Sequence, residues 1–239
     1  MANYFITFAG GEKNFHEAGE RIIKQADSLN FFDKTILYTD DFLKNDKEFW
    51  EKHSKFILNN KRGYGYYIWK PYIIKKTIEN MIDGDKLLFL DCGCEIDVRK
   101  KELIKNFFSI INENNKLELG STQCVEKEWN KMDLIIKLNM LKNEQLNTYQ
   151  YQSGTILFFI CKEIRDLVNE WYSIACNYNL IDDSESINKN LDCFIEHRHD
   201  QSIFSLLIKK YNLNNFSKYN LLFFDVIEVV RNRSGKSIL

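Results

Sequence analysis

The chain has few residues that interrupt regular structure: its 239 residues include one proline and ten glycines. No proline- or glycine-rich linker and no internal repeat divides it. This argues against several linked domains, and the length suits one α/β domain. We therefore expect a single domain that spans residues 1–239.

Long apolar runs and a cysteine pattern typical of a disulfide framework are also missing. No run approaches the roughly 18 apolar residues that cross a bilayer, so we expect no transmembrane segment. Residues 1–8 lack the basic region of a signal peptide, and the six scattered cysteines do not form a disulfide framework. We therefore expect a cytoplasmic protein with free thiols. Cys92 and Cys94 lie one residue apart with no second pair, which disfavours a zinc site.

The chain has no excess of charge of one sign. Lys and Arg number 33 against 34 Asp and Glu, which gives a formal net charge of −1. A protein that relies on a global positive field is thereby disfavoured, and we expect no nucleic-acid partner. The hydrophobic content of 44% allows a sizeable core. A local basic pocket for phosphates remains compatible with this composition.

Strand and helix patterns alternate along the whole chain. The predicted strands are Tyr4–Phe8, Thr35–Tyr38, Lys55–Leu58, Leu87–Leu90, Leu117–Gly120, Thr155–Ile160 and Leu221–Phe224. Helical spacing of apolar residues lies between most of them, for example from Phe15 to Ala26, from Pro71 to Ile82 and from Lys162 to about Tyr178. This alternation predicts an α/β fold with a mostly parallel central sheet and helices on both faces.

The most informative segment runs from Lys86 to Asp97. Its apolar run Leu87–Leu90 is typical of a strand buried on both faces, and Asp91 follows the carboxyl end of that strand. Ligands of open α/β sheets bind beyond such strand ends, so Asp91 is placed to hold a ligand or a hard cation. The alternative is that Asp91 and Glu95 are ordinary strand-end and helix-start residues.

A second segment, Lys61–Pro71, combines cations, aromatic residues and glycines. Aromatic residues beside glycine in a loop suggest a surface on which rings or sugars stack. The helix start at Pro71 would fix Lys70 so that its ammonium points at a phosphate. The alternative is that the aromatic side chains belong to the core and Lys70 is solvated.

Four further segments carry polar groups near predicted strand or helix ends. They are Phe8–Gly11, Tyr151–Gly154, His197–Gln201 and Arg231–Lys236. The first lacks the three-glycine pattern of a dinucleotide site, and by itself it is more typical of a tight turn. The third places Asp200 where it could cap a helix. The last is either a disordered terminus or a flap over an anionic ligand.

The order and content of these segments resemble glycosyltransferases of the GT-A fold. The likeness is greatest to small viral and bacterial sugar-nucleotide enzymes with a Gly-Tyr-Gly-Tyr-x-x-Trp-Lys-Pro segment, here Gly63–Pro71, and a His-Asp-Gln segment, here His199–Gln201. It extends from Phe5 to Phe204. The resemblance implies a Rossmann-like GT-A fold and transfer of a hexose from a nucleoside diphosphate sugar, usually a UDP-sugar, to a glycan or another hydroxyl acceptor.

The resemblance also implies roles for individual residues. Positions expected to bind the donor are Phe8, Ala9, Gly10 and Tyr38 for the nucleotide, Lys70 and Asp91 for the sugar or phosphates, and Gln152 and Ser153 for the donor sugar. Asp200 and Gln201 correspond to a pair near the anomeric carbon. Asp200 would act as a base or stabilise an oxocarbenium-like state, and the Asp-Gln pair favours retention of configuration.

One departure from the family pattern concerns the metal. The family carries Asp-x-Asp, whose carboxylates hold a divalent cation, whereas Gly93 stands two residues after Asp91. We expect Glu95 to substitute as the second ligand of Mn²⁺ or Mg²⁺, which prefer oxygen ligands. Alternatively, Lys70, Arg231 and Arg233 supply the countercharge and the metal is dispensable.

Two other functions are compatible with the sequence. One is a non-catalytic module that binds a sugar nucleotide or glycan, and the other is a nucleotidyltransferase, which would release pyrophosphate. The acceptor is not specified by any motif, although the polar segment from Tyr178 to Glu196 is a candidate acceptor loop.

Overall fold

A computed structural model describes residues 1–213 and 226–239. Its main sheet contains five strands in the spatial order β2-β1-β3-β6-β5. The strands are β1 (Asn3–Ala9), β2 (Lys34–Thr39), β3 (Lys86–Leu90), β5 (Leu117–Val125) and β6 (Tyr149–Phe159). Two short strands, β4 (Glu95–Ile96) and β7 (Ile227–Glu228), pair with each other outside this sheet.

The strand directions confirm the predicted mostly parallel sheet. Strand β1 pairs in parallel with both β2 and β3, whereas β6 runs antiparallel to its two neighbours, β3 and β5. Four of the five strands therefore point the same way. The antiparallel strand β6 is the feature that the α/β alternation did not predict.

Helices cover both faces of the sheet. They are α1 (Lys13–Ser28), α2 (Asp40–Asn45), α3 (Lys47–Asn59), the short α4 (Gly63–Tyr66), α5 (Trp69–Ile78), α6 (Lys101–Ile110), α7 (Met132–Lys137), α8 (Lys162–Ala175) and α9 (His199–Lys210). The two faces of β3 reach different cores: Leu87 and Phe89 pack in the larger one, and Leu88 and Leu90 pack with α1 and α6. This explains the continuous apolar run of β3.

Two strand predictions need separate comment. The predicted strand Lys55–Leu58 is wrong, because these residues lie in α3. Phe49, His53 and Phe56 are buried at helical spacing there, and a short apolar run does not distinguish a strand from one side of a helix. The predicted strand Leu221–Phe224 lies outside the described residues.

The antiparallel strand β6 brings its early residues to the carboxyl end of β3. Tyr151–Gly154 lies inside β6, not before it as predicted, and Asp91 N–H donates to Gly154 O at 2.8 Å. A Cβ on Gly154 would stand 2.6 Å from Asp91 Oδ2, so a residue without a side chain is needed at this approach. None of the described helices is long and apolar enough to cross a membrane.

A buried histidine predicts acid sensitivity of the fold. His197 accepts a hydrogen bond from Lys131 N–H at Nδ1 (3.3 Å), and its Nε2–H donates to Leu180 O (2.9 Å). Burial lowers the pKa of His197 to about 3, whereas an unfolded histidine titrates near pH 6.5. The neutral ring therefore contributes stability above pH 6.5 that is lost as the pH falls towards 3.

We expect the melting temperature to fall by more than about 4 °C between pH 7 and pH 5, with His197 contributing part of the slope. The variant His197→Gln retains an acceptor and a donor but does not titrate, so its melting temperature should change less over this interval. Thermal unfolding of both proteins across the pH range measures the difference. Equal slopes would contradict the assignment to His197.

Candidate functional site

A buried lysine joins two carboxylates at the end of β3. Lys70 lies near the start of α5, and its side chain is 2% exposed. Its Nζ stands 3.1 Å from Asp91 Oδ1, 3.2 Å from Asp200 Oδ2 and 3.4 Å from Ser153 Oγ. We call these four residues the Lys70 cluster. They come from α5, the end of β3, β6 and α9, so the fold brings together residues from four of the segments predicted to carry function.

The surroundings of Lys70 favour its charged form. Burial opposes the charge, but the attraction of Asp200 and Asp91 outweighs burial and raises the pKa of Lys70 above its ordinary value. The faces of Tyr67 and Phe89 lie 5.2 Å and 5.3 Å from Nζ, within the range of cation–π attraction. The ammonium is therefore a fixed positive charge at neutral pH.

The two carboxylates of the cluster differ in access. The Asp200 side chain is 4% exposed, and the Asp91 side chain is 41% exposed. Ser153 Oγ donates to Asp200 Oδ2 at 2.7 Å, and Trp171 Nε1 donates to Asp200 O at 3.1 Å. Burial raises the pKa of Asp200, although Lys70 and Ser153 act in the opposite direction. Asp91 is thus the carboxylate of the cluster that a ligand can reach.

The segment before Lys70 forms a left-handed turn. All five residues from Gly63 to Tyr67 have positive φ, between 52° and 83°. L-residues rarely adopt this conformation, and successive ones are rarer still. The turn is held by Gly65 N–H and Tyr66 N–H, which donate to Asn60 O and Arg62 O at 2.8 Å. Strained backbone of this kind is concentrated at functional sites, and here it sets the start of α5 and hence Lys70.

The predicted His-Asp-Gln segment packs against this turn. His199 has φ of 55°, its ring stacks on Tyr66 with centroids 4.9 Å apart, and its Nε2 lies 2.8 Å from Asp183 Oδ1. Burial lowers the pKa of His199, while Asp183 favours its protonation. Arg62 pairs with Asp183 at 3.2 Å and with Glu196 at 2.5 Å. The candidate acceptor loop is therefore attached to the turn beside the Lys70 cluster.

The residues predicted to bind the nucleotide have enclosed side chains. Phe8 is 4% exposed and stacks on Trp69 with centroids 3.9 Å apart. Tyr38 is 8% exposed, and its hydroxyl lies 3.0 Å from Thr77 Oγ1. Ala9 is also buried. A nucleotide would therefore meet mainly the backbone at the end of β1, and the binding role of these residues and of Gly10 stays a prediction.

Both predicted glutamines have partners within the protein. Gln152 Nε2 donates to Ser121 O at 3.2 Å, and Gln201 Nε2 donates to Gln150 Oε1 at 2.8 Å. Their expected contacts with the sugar stay predictions. Ser153, by contrast, lies inside the Lys70 cluster.

Glu95 is used differently from its predicted role as a metal ligand. It is 0% exposed, and its carboxylate accepts hydrogen bonds from Gln25 Nε2 (3.1 Å), Asn232 Nδ2 (2.5 Å), Ile238 N (3.1 Å) and Ser237 Oγ. These bonds lower the pKa of Glu95 although burial acts against them. The carboxylate fastens the end of the chain to α1.

The carboxylate oxygens of Asp91 and Glu95 do not fit the predicted Mn²⁺ or Mg²⁺ site. Asp91 is paired with Lys70, and the oxygens of Glu95 are occupied by hydrogen-bond donors. Such ions need several oxygen ligands around one point. Among residues 1–213 and 226–239, no group of three His, Cys, Asp or Glu side chains is arranged to hold a metal ion.

Arg21 of α1 is an important residue that the sequence analysis missed. It is 5% exposed; its Nη1 donates to Asn232 O (3.1 Å) and Ser234 O (2.5 Å), and its Nη2 to Cys92 O (3.0 Å) and Cys94 O (2.9 Å). Burial lowers the pKa of Arg21, against the attraction of Glu95. One feature of the sequence could have identified Arg21: it stands next to Ile22 and so places a cation beside the apolar side of the predicted helix.

Comparison with known proteins gives structural matches only. No protein-family model and no curated protein matches the chain. The galactosyltransferase LgtC, solved with donor and acceptor sugar analogues, shares 15% identity over 84% of this chain and 68% of its own, with a TM-score of 0.47. The chain is similar in structure to this glycosyltransferase.

Two further similar structures have lower identity. Mouse xyloside xylosyltransferase 1 shares 11% identity over 97% of this chain and 94% of its own, with a TM-score of 0.45. A glycosyltransferase involved in glycosylating the major capsid of PBCV-1 shares 11% identity over 73% of this chain, with a TM-score of 0.41. The match spans 66% of that viral enzyme.

Proposed function

We propose that the chain is a glycosyltransferase that moves a hexose from a nucleoside diphosphate sugar, foremost a UDP-sugar, to a hydroxyl group of a glycan or another acceptor. The proposal treats residues 1–239 as one catalytic domain. The observation that carries it is the Lys70 cluster. A buried ammonium there links the accessible Asp91 to the buried Asp200, beyond the carboxyl end of β3.

The reaction requires charge to be stabilised on the leaving group. The bond between the anomeric carbon and the diphosphate oxygen breaks, the acceptor oxygen bonds to that carbon, and the proton of the acceptor hydroxyl passes to Asp91 or to the departing diphosphate. Cations fixed before the reaction stabilise the departing diphosphate without reorganisation. Lys70 is such a fixed cation, and it acts by its charge rather than by a direct hydrogen bond, because its ammonium is buried among Asp91, Asp200 and Ser153.

The different access of the carboxylates divides their roles. Asp91 is reachable and contacts the sugar or the acceptor hydroxyl, whereas Asp200 and Ser153 hold Lys70 in place. In this proposal Asp200 is a positioning residue, which differs from its predicted role near the anomeric carbon. Retention of configuration stays the predicted outcome.

The proposal is tested with Asp91→Asn, which removes the accessible charge and keeps the shape. We expect kcat/KM to fall by about 100-fold or more, the size of a lost acid–base or electrostatic contribution. Release of nucleoside diphosphate from a panel of sugar nucleotides, with glycan acceptors present, is the measurement. Asp41→Asn is the matched control, because the Asp41 side chain is 80% exposed and pairs with Lys44 at the surface.

Other outcomes point to the alternative functions. Release of pyrophosphate would support a nucleotidyltransferase. Binding of sugar nucleotides without turnover, unchanged by Asp91→Asn, would support a binding module.

A further inference from the structure

The end of the described chain covers the turn that follows β3. We call residues 231–238 the tail. Asn232 N–H donates to Gly93 O at 2.9 Å, and a Cβ on Gly93 would stand 3.2 Å from Arg231 Cα and 3.5 Å from Arg231 C. A larger side chain at position 93 would therefore have to displace the tail backbone.

Position 93 is where the Asp-x-Asp pattern places its second carboxylate. Here the tail backbone takes up the space into which that carboxylate would extend. An arginine, Arg231, is delivered to the same turn. The backbone of a cationic residue thus stands where the family pattern has an acidic ligand for a cation.

Buried charges hold the tail in this position. Arg21 binds the carbonyl groups of Asn232 and Ser234 on one side and those of Cys92 and Cys94 on the other. Glu95 accepts from the Asn232 amide and from Ile238 N–H. Burying a charge costs several kcal/mol unless it is well paired. Arg21 and Glu95 are both buried, and much of their pairing is with the tail. The tail is therefore held in a defined position by Arg21 and Glu95.

The tail presents two cations near the ends of β1 and β3. Arg231 and Arg233 are both exposed, and the Arg233 guanidinium lies 5.1 Å from the ring centroid of Phe15, near the start of α1. Within the described residues, neither arginine forms an ion pair with a carboxylate. Guanidinium groups bind phosphate oxygens through paired hydrogen bonds.

We propose that the tail takes the place of the divalent cation, so that Arg231 and Arg233 bind the diphosphate of the donor without a metal ion at Asp91. Glu95 and Arg21 are positioning residues that act through the tail. The inference rests on the proposed function, because it assumes that a nucleoside diphosphate sugar is the donor. It agrees with the contacts of the two carboxylates predicted to bind a metal, since Asp91 is paired with Lys70 and Glu95 is hydrogen-bonded to the tail.

The test measures the Kd of UDP for the full chain by calorimetry, in EDTA and in Mn²⁺. We expect the same Kd in both conditions for the unmodified protein. The double variant Arg231→Ala/Arg233→Ala should raise that Kd at least about 10-fold, a modest loss for two charged phosphate contacts. Lys236→Ala is the control, because it removes an exposed cation from the same tail and should leave Kd unchanged.

The variant Glu95→Gln tests the positioning role. Glu95 is 0% exposed and cannot contact the ligand, yet loosening the tail should raise the Kd of UDP. In the Arg231→Ala/Arg233→Ala background the same change should have little further effect, because both changes act through one element. An equal effect in both backgrounds would show that Glu95 acts on the fold rather than through the arginines.

Failure of the inference is distinguishable from failure of the proposed function. UDP binding that is abolished by EDTA and restored by Mn²⁺ would overturn the inference and keep the glycosyltransferase proposal. Metal-independent binding that is unchanged in the arginine double variant would do the same. No binding of UDP, GDP, ADP or CDP would overturn the proposed function itself and the inference with it.

Discussion

Lys70→Met is expected to lower the free energy of unfolding by about 3 kcal/mol and to abolish turnover. The methionine fills much of the same space but leaves Asp200 buried without its counter-ion. Asp91 is half accessible and can be solvated, so most of the cost arises at Asp200. Denaturant unfolding at neutral pH, followed by fluorescence, measures the change.

The pH dependence of this variant has a defined sign. Burial already raises the pKa of Asp200, and removal of the ammonium raises that pKa further. A carboxyl group whose pKa is raised in the folded state favours folding at low pH and loses that contribution as the pH rises. The stability deficit of Lys70→Met should therefore shrink at pH 5 and grow at pH 8.

Two further variants serve as controls for Lys70→Met. Lys162→Met removes an exposed lysine that pairs with the exposed Asp166 at the surface, and we expect a far smaller loss of stability than for Lys70→Met. The double variant Lys70→Met/Asp200→Asn should be more stable than the sum of the single changes predicts, because it leaves no unpaired buried charge. A Lys70→Met protein with an unchanged denaturation midpoint would contradict the pairing.

Gly65→Ala is expected to destabilise the protein by roughly 2 to 4 kcal/mol, from left-handed backbone strain and overpacking together. Gly65 has φ of +83°, and a Cβ there would stand 2.7 Å from Ile57 Cγ1 and 3.2 Å from Ile57 Cα. The backbone of α3 cannot easily move away, since it is part of a helix. Denaturant unfolding measures the loss.

Gly11→Ala separates strain from steric conflict. Gly11 has φ of +86°, almost the same as Gly65, but the nearest atom to a Cβ there is Tyr64 Cδ2 at 3.5 Å, an ordinary contact. We expect it to cost about 1 kcal/mol, the strain alone. Equal losses for the two alanine variants would show that the contact with Ile57 has no energetic weight.

Sequence patterns predicted the sheet and much of the candidate site because both depend on local features. The apolar run Leu87–Leu90 is continuous because the strand is buried on both faces, and Asp91 follows directly from its end. Lys70 and Asp200 stand at the starts of helices that pack beside β3 and β6. Lys70 and Asp200 lie far apart in the sequence, but both could be predicted because each belongs to a segment with a recognisable motif.

The remaining features depend on long-range contacts that no local pattern records. Glu95 was predicted as a metal ligand because it follows Asp91 closely, yet its partners are Asn232, Ser237 and Ile238. Arg21 likewise binds carbonyl groups of two distant segments. The helical location of Lys55–Leu58 follows from the burial of one side of α3, which a short apolar run does not show.

The close contact between Gly154, which has no side chain, and Asp91 also restricts the register in which β3 and β6 can pair. Strands β3 and β6 pair from Lys86 with Phe159 to Leu90 with Thr155. A slip by one residue would put Ser153 or Thr155 where Gly154 now stands, and their Cβ atoms would collide with the carboxylate. The slip would also exchange the apolar side chains of β6 between the two cores, so that each core would receive side chains of the wrong size and shape. Chains with a shifted register would thus lose the core packing and the ion-pair geometry together. An active site would therefore form only in molecules in which β3 and β6 pair in the correct register.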